Sequence, residues 1–177
     1  MAANLLVFDV ETYRTRVVSV INEITCEALE KRPAQNAAKE IKAAWDTAEA
    51  RMERVQSAIS KTAVDVTLAE PLSAAFRLDH GEIVKRVIGF EPDLEQKNLA
   101  LLSEEWSDCT DANTVWGGHN IEGFDLAVLL NRMRRHKVRP PAHFPMYRHR
   151  RWRGRIFDSM RHMPTSNGLD FIAVDVA

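Results

Sequence analysis

The sequence has few cysteines and no long apolar run. Its two cysteines, Cys26 and Cys109, are isolated and lack the spacing of a zinc site. This usage indicates reduced thiols in a cytosolic protein. No segment approaches the ~18 consecutive apolar residues of a membrane span, and the amino terminus lacks the basic and then apolar pattern of a secretory signal. We therefore expect a cytoplasmic protein that does not contact a membrane.

Several common catalytic motifs are also missing. The chain contains no G-x-G-x-x-G, no G-x-x-x-x-G-K-[ST], no H-E-x-x-H and no G-x-S-x-G, which disfavours the nucleotide-binding, zinc-protease and serine-hydrolase classes. No internal repeat is visible. A length of 177 residues, with 45% hydrophobic and 28% charged residues, is typical of one globular domain over residues 1–177.

The net charge of −1 hides a strong asymmetry along the chain. Residues 1–131 contain 13 Lys and Arg against 22 Asp and Glu, a balance of −9, whereas residues 132–177 contain 11 against 3, a balance of +8. Segregation of this kind favours a polyanionic partner for the basic part. The alternative is that the two parts neutralise each other across an internal interface.

Hydrophobic periodicity predicts a strand at the start, followed by a helical insertion over residues 14–66. A stripe with gaps of three and four predicts one helix of about six turns within residues 36–61, with the stripe packed into the core. Its members are Ile41, Trp45, Ala48, Met52, Val55 and Ile59. A β-hairpin with its turn at 79–81 follows, then a helix, a short strand and another helix. A loop over 141–157 and a helix from about Leu169 end the chain. This order predicts an α/β fold with a mixed sheet flanked by helices.

Two carboxylates end the first predicted strand, NLLVFDVET. Asp9 and Glu11 are two residues apart, so they share one face of the strand and repel each other. Either one of them is protonated or a cation lies between them. Each carboxylate considered alone is explained equally well as an ordinary polar residue at a strand end.

A third carboxylate, Asp125, opens the helix after the glycine-containing strand, in WGGHNIEGFDLAVLL. Alone it is best explained as a helix cap. Together, Asp9, Glu11 and Asp125 can converge on one point, and carboxylate oxygens suit hard divalent cations. Two such cations about 4 Å apart can hold the attacking and leaving oxygens of a phosphodiester.

FDVET followed by GHNIEGFD resembles the first two motifs of the DEDD (DnaQ-like) 3'-5' exonucleases of the ribonuclease H-like superfamily. The resemblance is greatest to phage and bacterial exonucleases similar to the proofreading domain of family B polymerases. It implies a ribonuclease H-like mixed sheet with a helical hairpin inserted after the first strand. It also implies the cytosol of a bacterium or of a phage-infected host.

The resemblance further implies roles for individual residues. Asp9, Glu11 and Asp125 match the catalytic ligands of a two-metal site for Mg²⁺ or Mn²⁺. Thr12 follows the first motif, Asn120 would orient Asp125, and Phe124 would pack near the terminal nucleotide. The basic loop over 141–157 would bind single-stranded DNA or RNA through phosphate contacts and stacking, or it is simply a solvated loop. Its candidate residues are Tyr147, Arg148, Arg150, Arg151, Trp152, Arg153 and Arg155.

The third motif of that family is not found in these residues. The family carries a fourth carboxylate preceded by a Tyr or His that acts as general base. Asp175 has Phe171 at that place, and Asp158, in IFDSMRHM, matches the segment before the motif. Three hypotheses follow: an exonuclease that is weak, truncated or completed by another residue or chain; a non-catalytic relative, such as a phage inhibitor, that binds nucleic acid or a nucleoprotein complex; and a structural interaction protein built on the 36–61 helix.

Overall fold

The computed structural model describes residues 4–145 and 155–162. Within these residues the chain forms five strands and six α-helices, and a 3-10 turn (Lys61–Val64) follows the third helix. The strands are β1 (Leu5–Tyr13), β2 (Glu70–Leu78), β3 (Val84–Val87), β4 (Val115–Gly118) and β5 (Ile156–Asp158). The helices are α1 (Val18–Glu30), α2 (Lys39–Ala44), α3 (Ala48–Ser60), α4 (Pro92–Cys109), α5 (Asp125–Arg135) and α6 (Ser159–His162).

The five strands form one mixed sheet in the order β3-β2-β1-β4-β5. β2 lies antiparallel to both β1 and β3, whereas β1, β4 and β5 are parallel. This is the mixed sheet of the predicted α/β fold, with β1 at its centre. Because parallel strands end at the same edge, the ends of β1, β4 and β5 lie near one another.

One face of the sheet carries the core. Leu6, Phe8 and Val10 of β1 are buried, and α4 and α5 cover them with apolar side chains. Phe8 contacts the ring of Trp106 on α4 edge to face, with 5.2 Å between the ring centroids. The residues that alternate with them in β1 are exposed on the opposite face; they are Leu5, Val7, Asp9 and Glu11. The alternation therefore directs Asp9 and Glu11 away from the core, as the period of a strand requires.

The helical insertion is attached to the end of β1 and not to the face of the sheet. The hydroxyl of Thr12 donates to the carbonyl of Ala63 at 2.6 Å, and the amide of Thr15 donates to the Thr62 hydroxyl at 2.8 Å. The insertion consists of α1, α2, α3 and the 3-10 turn, and α1 packs against α3. The helical hairpin after the first strand is confirmed.

The prediction of a single six-turn helix in the insertion is wrong. The helix stops at Ala44 and a new one begins after Thr47, whose side chain accepts a hydrogen bond from the amide of Ala50. The expected core packing also fails for Ile41 and Met52, which are 52% and 61% exposed. The insertion lies beyond the sheet, so its helices bury little more than the seam between α1 and α3.

The carboxyl-terminal part contains a strand that the sequence did not predict. Ile156 and Phe157, placed in the basic loop, belong to β5, which pairs with β4 from Trp116 to Gly118. Residues 146–154 of that loop and the helix expected near Leu169 lie outside the described residues. Among the helices described here, none combines the length and apolarity needed to cross a bilayer.

Candidate functional site

The candidate site lies where β1 runs past the end of its neighbour β4. The two strands pair only through residues 5–7 of β1, whereas β1 continues to Tyr13. The edge of β1 after Val7 is therefore free on the β4 side. Asp9 and Glu11 lie on this free stretch, and both are exposed.

Asp125 occupies the place that β4 leaves open. Its Oδ1 accepts a hydrogen bond of 2.9 Å from the backbone amide of Val10, the residue between Asp9 and Glu11. Asp125 is 3% exposed. Without this contact the buried amide of Val10 would lack a partner at a sheet edge, which is costly. The first residue of α5 is thus fixed beside the two acidic residues of β1.

The electrostatics of Asp125 reflect this crowding. The pKa of Asp125 is raised to about 7, chiefly by burial and to a smaller extent by the negative charges of Asp9 and Asp158. The hydrogen bond from Val10 acts in the opposite direction and lowers the pKa. The carboxyl group of Asp125 therefore lies close enough to two other carboxylates to feel their charge, and it is partly protonated near neutral pH.

Asp158 organises the loop that leads from β4 into α5. Its Oδ1 accepts hydrogen bonds from the amides of Asn120 (2.9 Å) and Met160 (3.0 Å), and its Oδ2 accepts one from Glu122 (3.0 Å). Asp158 is buried, so these amides compensate for its lost hydration. Asn120 has a positive φ of 55°, a conformation that Asn tolerates better than most residues.

Gly118 is required where the same loop begins. A Cβ atom at this position would lie 2.2 Å from Ile121 Cγ2 and 2.6 Å from the carbonyl oxygen of Phe8. The chain can therefore turn from β4 towards Asn120, close against β1, only because residue 118 has no side chain. The glycine places the loop, and the loop places Asp125.

The sequence does not predict the part that Asp158 plays in the site. Asp158 matches the segment that precedes the third motif of the family, and that match implies no role for it. The available signal was local: Asp158 ends a short apolar run and precedes Ser159 and Met160, and an Asp that starts a helical turn accepts amides two residues on. The other two hydrogen bonds of Asp158, from the amides of Asn120 and Glu122, join residues more than thirty positions apart in sequence, so no local pattern predicts them.

The remaining predicted residues are placed as follows. Thr12 is half-buried, and its hydroxyl is used in the bond to Ala63. Asn120 and Phe124 are half-buried in the loop before α5, and the amide of Phe124 donates to the carbonyl of Asn120 at 2.9 Å. Arg155 is half-buried directly before β5. The other candidates of the basic loop lie outside the described residues; they are Tyr147, Arg148, Arg150, Arg151, Trp152 and Arg153.

The carboxylates are suitable ligands for a divalent cation, but their side chains are not positioned to hold one ion together. Oxygen ligands from Asp and Glu suit Mg²⁺ and Mn²⁺. Within residues 4–145 and 155–162, however, no three Asp, Glu, His or Cys side chains lie close enough together to hold one ion. A cation bound by Asp9, Glu11 and Asp125 together would require these side chains to approach one another more closely than they do here.

Comparisons with known proteins gave similarity in structure alone. No protein-family model matches the sequence, and no curated protein has significant sequence similarity to it. Among solved structures, Exonuclease I without ligand aligns with 92% of this chain at 14% identity and a TM-score of 0.46. E. coli Exonuclease I in complex with a dT13 oligonucleotide aligns with 92% at 14% identity and a TM-score of 0.45. The alignments cover 30% and 29% of those two chains, so this chain spans about a third of their length.

Proposed function

We propose that this chain is an exonuclease-like protein that binds Mg²⁺ or Mn²⁺ through Asp9, Glu11 and Asp125. In this proposal it acts on, or binds, the 3' ends of single-stranded DNA or RNA. The observation that supports it is the buried hydrogen bond between Asp125 Oδ1 and the amide of Val10. That bond sets a third carboxyl group beside the peptide segment that joins two others, and the repulsion between their charges is a cost that a bound cation would offset.

The three carboxyl groups divide the work in this proposal. A bound divalent cation would offset their repulsion and polarise a phosphoryl oxygen. Asp9 and Glu11, both exposed, would face the substrate, with Glu11 closest to the terminal 3' hydroxyl. Asp125, fixed by Val10, would complete the ligand set from the other side. Asp158 acts on the site indirectly, by holding the loop that carries Asn120.

The expected activity of these 177 residues is low. No Tyr or His stands four residues before a candidate fourth carboxylate, so a general base of the family type is not identified. Loss of a general base alone typically slows a reaction by about 10²–10⁴-fold. Slow, metal-dependent removal of terminal nucleotides is the behaviour that the proposal requires.

One observation favours a second candidate, a non-catalytic binder of nucleic acid or of a nucleoprotein complex. Backbone amides already occupy one oxygen of Asp125 and both oxygens of Asp158. Two of the carboxylates at this site therefore have structural partners without a cation. A protein that had lost catalysis could keep them for stability and use the same surface for binding, for example as a phage-encoded inhibitor.

The test is digestion of a 5'-labelled single-stranded oligonucleotide with Mg²⁺ or Mn²⁺, using the wild-type chain and Asp9→Asn. Asp108→Asn is the matched control, because Asp108 is exposed on α4, which packs on the opposite face of the sheet. The exonuclease proposal predicts a ladder of shortened products that EDTA and Asp9→Asn abolish and Asp108→Asn leaves unchanged. A retarded band without shortening supports the binder instead. If the chain neither shortens nor retards the oligonucleotide, with RNA as well as with DNA, both candidates are contradicted.

A further inference from the structure

An exposed cluster of aromatic and arginine side chains lies at the end of β1. We name Tyr13, Arg14, Arg16 and Phe90 the aromatic–arginine cluster. The Tyr13 and Phe90 rings meet edge to face, with 5.3 Å between their centroids. The Arg14 guanidinium lies 5.9 Å from the Tyr13 ring centroid, and that of Arg16 lies 4.2 Å from the Phe90 centroid. Tyr13 is 40% exposed, so much of its ring surface faces solvent.

The base of this cluster is rigid. Arg16 Nε donates to Glu70 Oε2 at 3.0 Å, and Arg16 Nη2 donates to the carbonyl of Phe90 at 2.6 Å. The backbone amide of Arg16 also donates to Glu70 Oε1 at 2.8 Å. Glu70 in turn is the strand partner of Tyr13. The Tyr13 ring is therefore supported by a fixed Phe90, and a ligand that stacks on it would spend little entropy on ordering the protein.

Tyr13 lies on the same face of β1 as the acidic residues. The register of β1 against β2 shifts after Glu11, which pairs with Ser73 while Thr12 pairs with Pro71. The extra residue, Leu72, is on β2, so β1 keeps its alternation and Tyr13 is exposed like Glu11. Two residues along a strand span about 7 Å. Tyr13 is therefore within reach of the nucleotide next to a 3' end held at Glu11.

The charges of the cluster favour a polyanion. Glu70 neutralises Arg16. Arg14 is exposed, and the ion pairs of the described residues give it no carboxylate partner. An aromatic face with a free guanidinium beside it suits single-stranded nucleic acid, because bases stack on the ring while the cation contacts a phosphate.

Resting on the proposed function, we propose that Tyr13 is a stacking platform for a base near the 3' end of the bound strand. Arg14 contacts the phosphate next to that base. The platform is independent of base identity, since every base has a π-face. It extends the site from the terminal nucleotide at the carboxylates to the nucleotides behind it.

The test is the affinity of fluorescein-labelled oligothymidylate, measured by anisotropy with Ca²⁺ present to limit turnover. Tyr13→Ala is expected to weaken binding about 10-fold, which corresponds to about 1.4 kcal/mol for one stacked base. Tyr13→Phe keeps the ring and is expected to retain affinity. Arg14→Ala is expected to weaken binding. It is also expected to reduce the slope of the logarithm of the binding constant against the logarithm of the salt concentration by about 1. Arg51→Ala, an exposed arginine on α3, serves as the control and is expected to change neither quantity.

A second measurement separates this inference from the proposed function. Hydrolysis of p-nitrophenyl thymidine 5'-phosphate needs the carboxylates but provides no second base to stack. If Asp9→Asn abolishes that hydrolysis while Tyr13→Ala leaves oligonucleotide affinity unchanged, the platform is refuted and the proposed function stands. If Tyr13→Ala weakens binding while the wild-type chain hydrolyses nothing, the platform stands and catalysis fails. A wild-type chain that does not bind the oligonucleotide refutes the platform outright.

Discussion

Asp125 and Val10, 115 positions apart in sequence, are joined by a buried hydrogen bond of 2.9 Å between the carboxylate and the backbone amide. The bond ties the start of α5 to the central strand at the point where β4 has ended. It also keeps an ionisable group in a place where its charge is unfavourable. The Asp125 side chain therefore stabilises the fold through its hydrogen bond and destabilises it through its charge. One substitution can remove the charge and keep the hydrogen bond.

Asp125→Asn is expected to stabilise the protein at high pH in the absence of divalent cations. Because the pKa of Asp125 is raised to about 7 in the folded state, the wild-type protein is most stable below the ordinary pKa of Asp. It loses stability as pH rises through about 7. Asparagine keeps an acceptor for Val10 without a charge, so the gain in free energy of unfolding should reach about 4 kcal/mol at pH 8 and vanish near pH 4. Urea unfolding at both pH values measures it.

The same experiment with Asp108→Asn provides the control, since Asp108 is exposed and the substitution should change stability little at either pH. If the difference in free energy of unfolding between Asp125→Asn and the wild type is the same at pH 4 and at pH 8, the raised pKa is contradicted.

Asp158→Ala is expected to loosen the loop before α5. The substitution removes the acceptor of three amides, two of them in that loop. Unsatisfied buried donors cost about 1–3 kcal/mol each, so a total loss of about 3 kcal/mol is expected. Amide hydrogen exchange should increase most at Asn120 and Glu122. The β2 amides should lose only the protection that corresponds to the fall in the free energy of global unfolding. Unchanged protection at Asn120 would show that Asp158 does not hold the loop.

Arg132→Met is expected to destabilise the packing of α4 against α5. Arg132 Nε donates to Glu95 Oε1 at 2.6 Å, and both residues are buried. Removing one partner of a buried ion pair typically costs about 3–5 kcal/mol, whereas replacing both by apolar residues costs much less. The double variant with Glu95→Leu should therefore recover most of the loss in a urea titration. A double variant no more stable than Arg132→Met would contradict this account.

Gly118→Ala is expected to disturb the site, and Gly117→Ala is its matched neighbour. The new Cβ at 118 would meet the backbone oxygen of Phe8 at 2.6 Å, which only a backbone shift relieves; at 117 the nearest atom is Leu5 Cδ1 at 3.3 Å. Overpacking of this kind costs about 1–3 kcal/mol. The melting temperature should fall clearly for Gly118→Ala and much less for Gly117→Ala. Equal effects would mean that the close approach of β4 and β1 is not limiting.

The sequence predicted the features that depend on short-range periodicity. The alternation in β1 placed Asp9 and Glu11 on one face, and the turn at 79–81 predicted the β2–β3 hairpin; both are confirmed. β5 was missed because it has three residues, flanked by arginines, and forms only through pairing with β4. The stripe on α2 and α3 failed for a related reason: periodicity specifies which residues share a helix face, but not whether anything packs against that face. The assignment of Asp9, Glu11 and Asp125 as metal ligands remains a prediction.

The insertion departs from β1 after Tyr13 and returns at Glu70, and these two residues are partners in the β1–β2 ladder. In terms of chain connectivity, the whole helical hairpin is therefore an oversized turn between adjacent antiparallel strands. Its length can change by many residues without altering the register of the strands, because closing a longer loop adds little entropy cost. This appendage can therefore be enlarged, shortened or exchanged in evolution, while Glu11 and Asp9, two and four residues before Tyr13, keep their places.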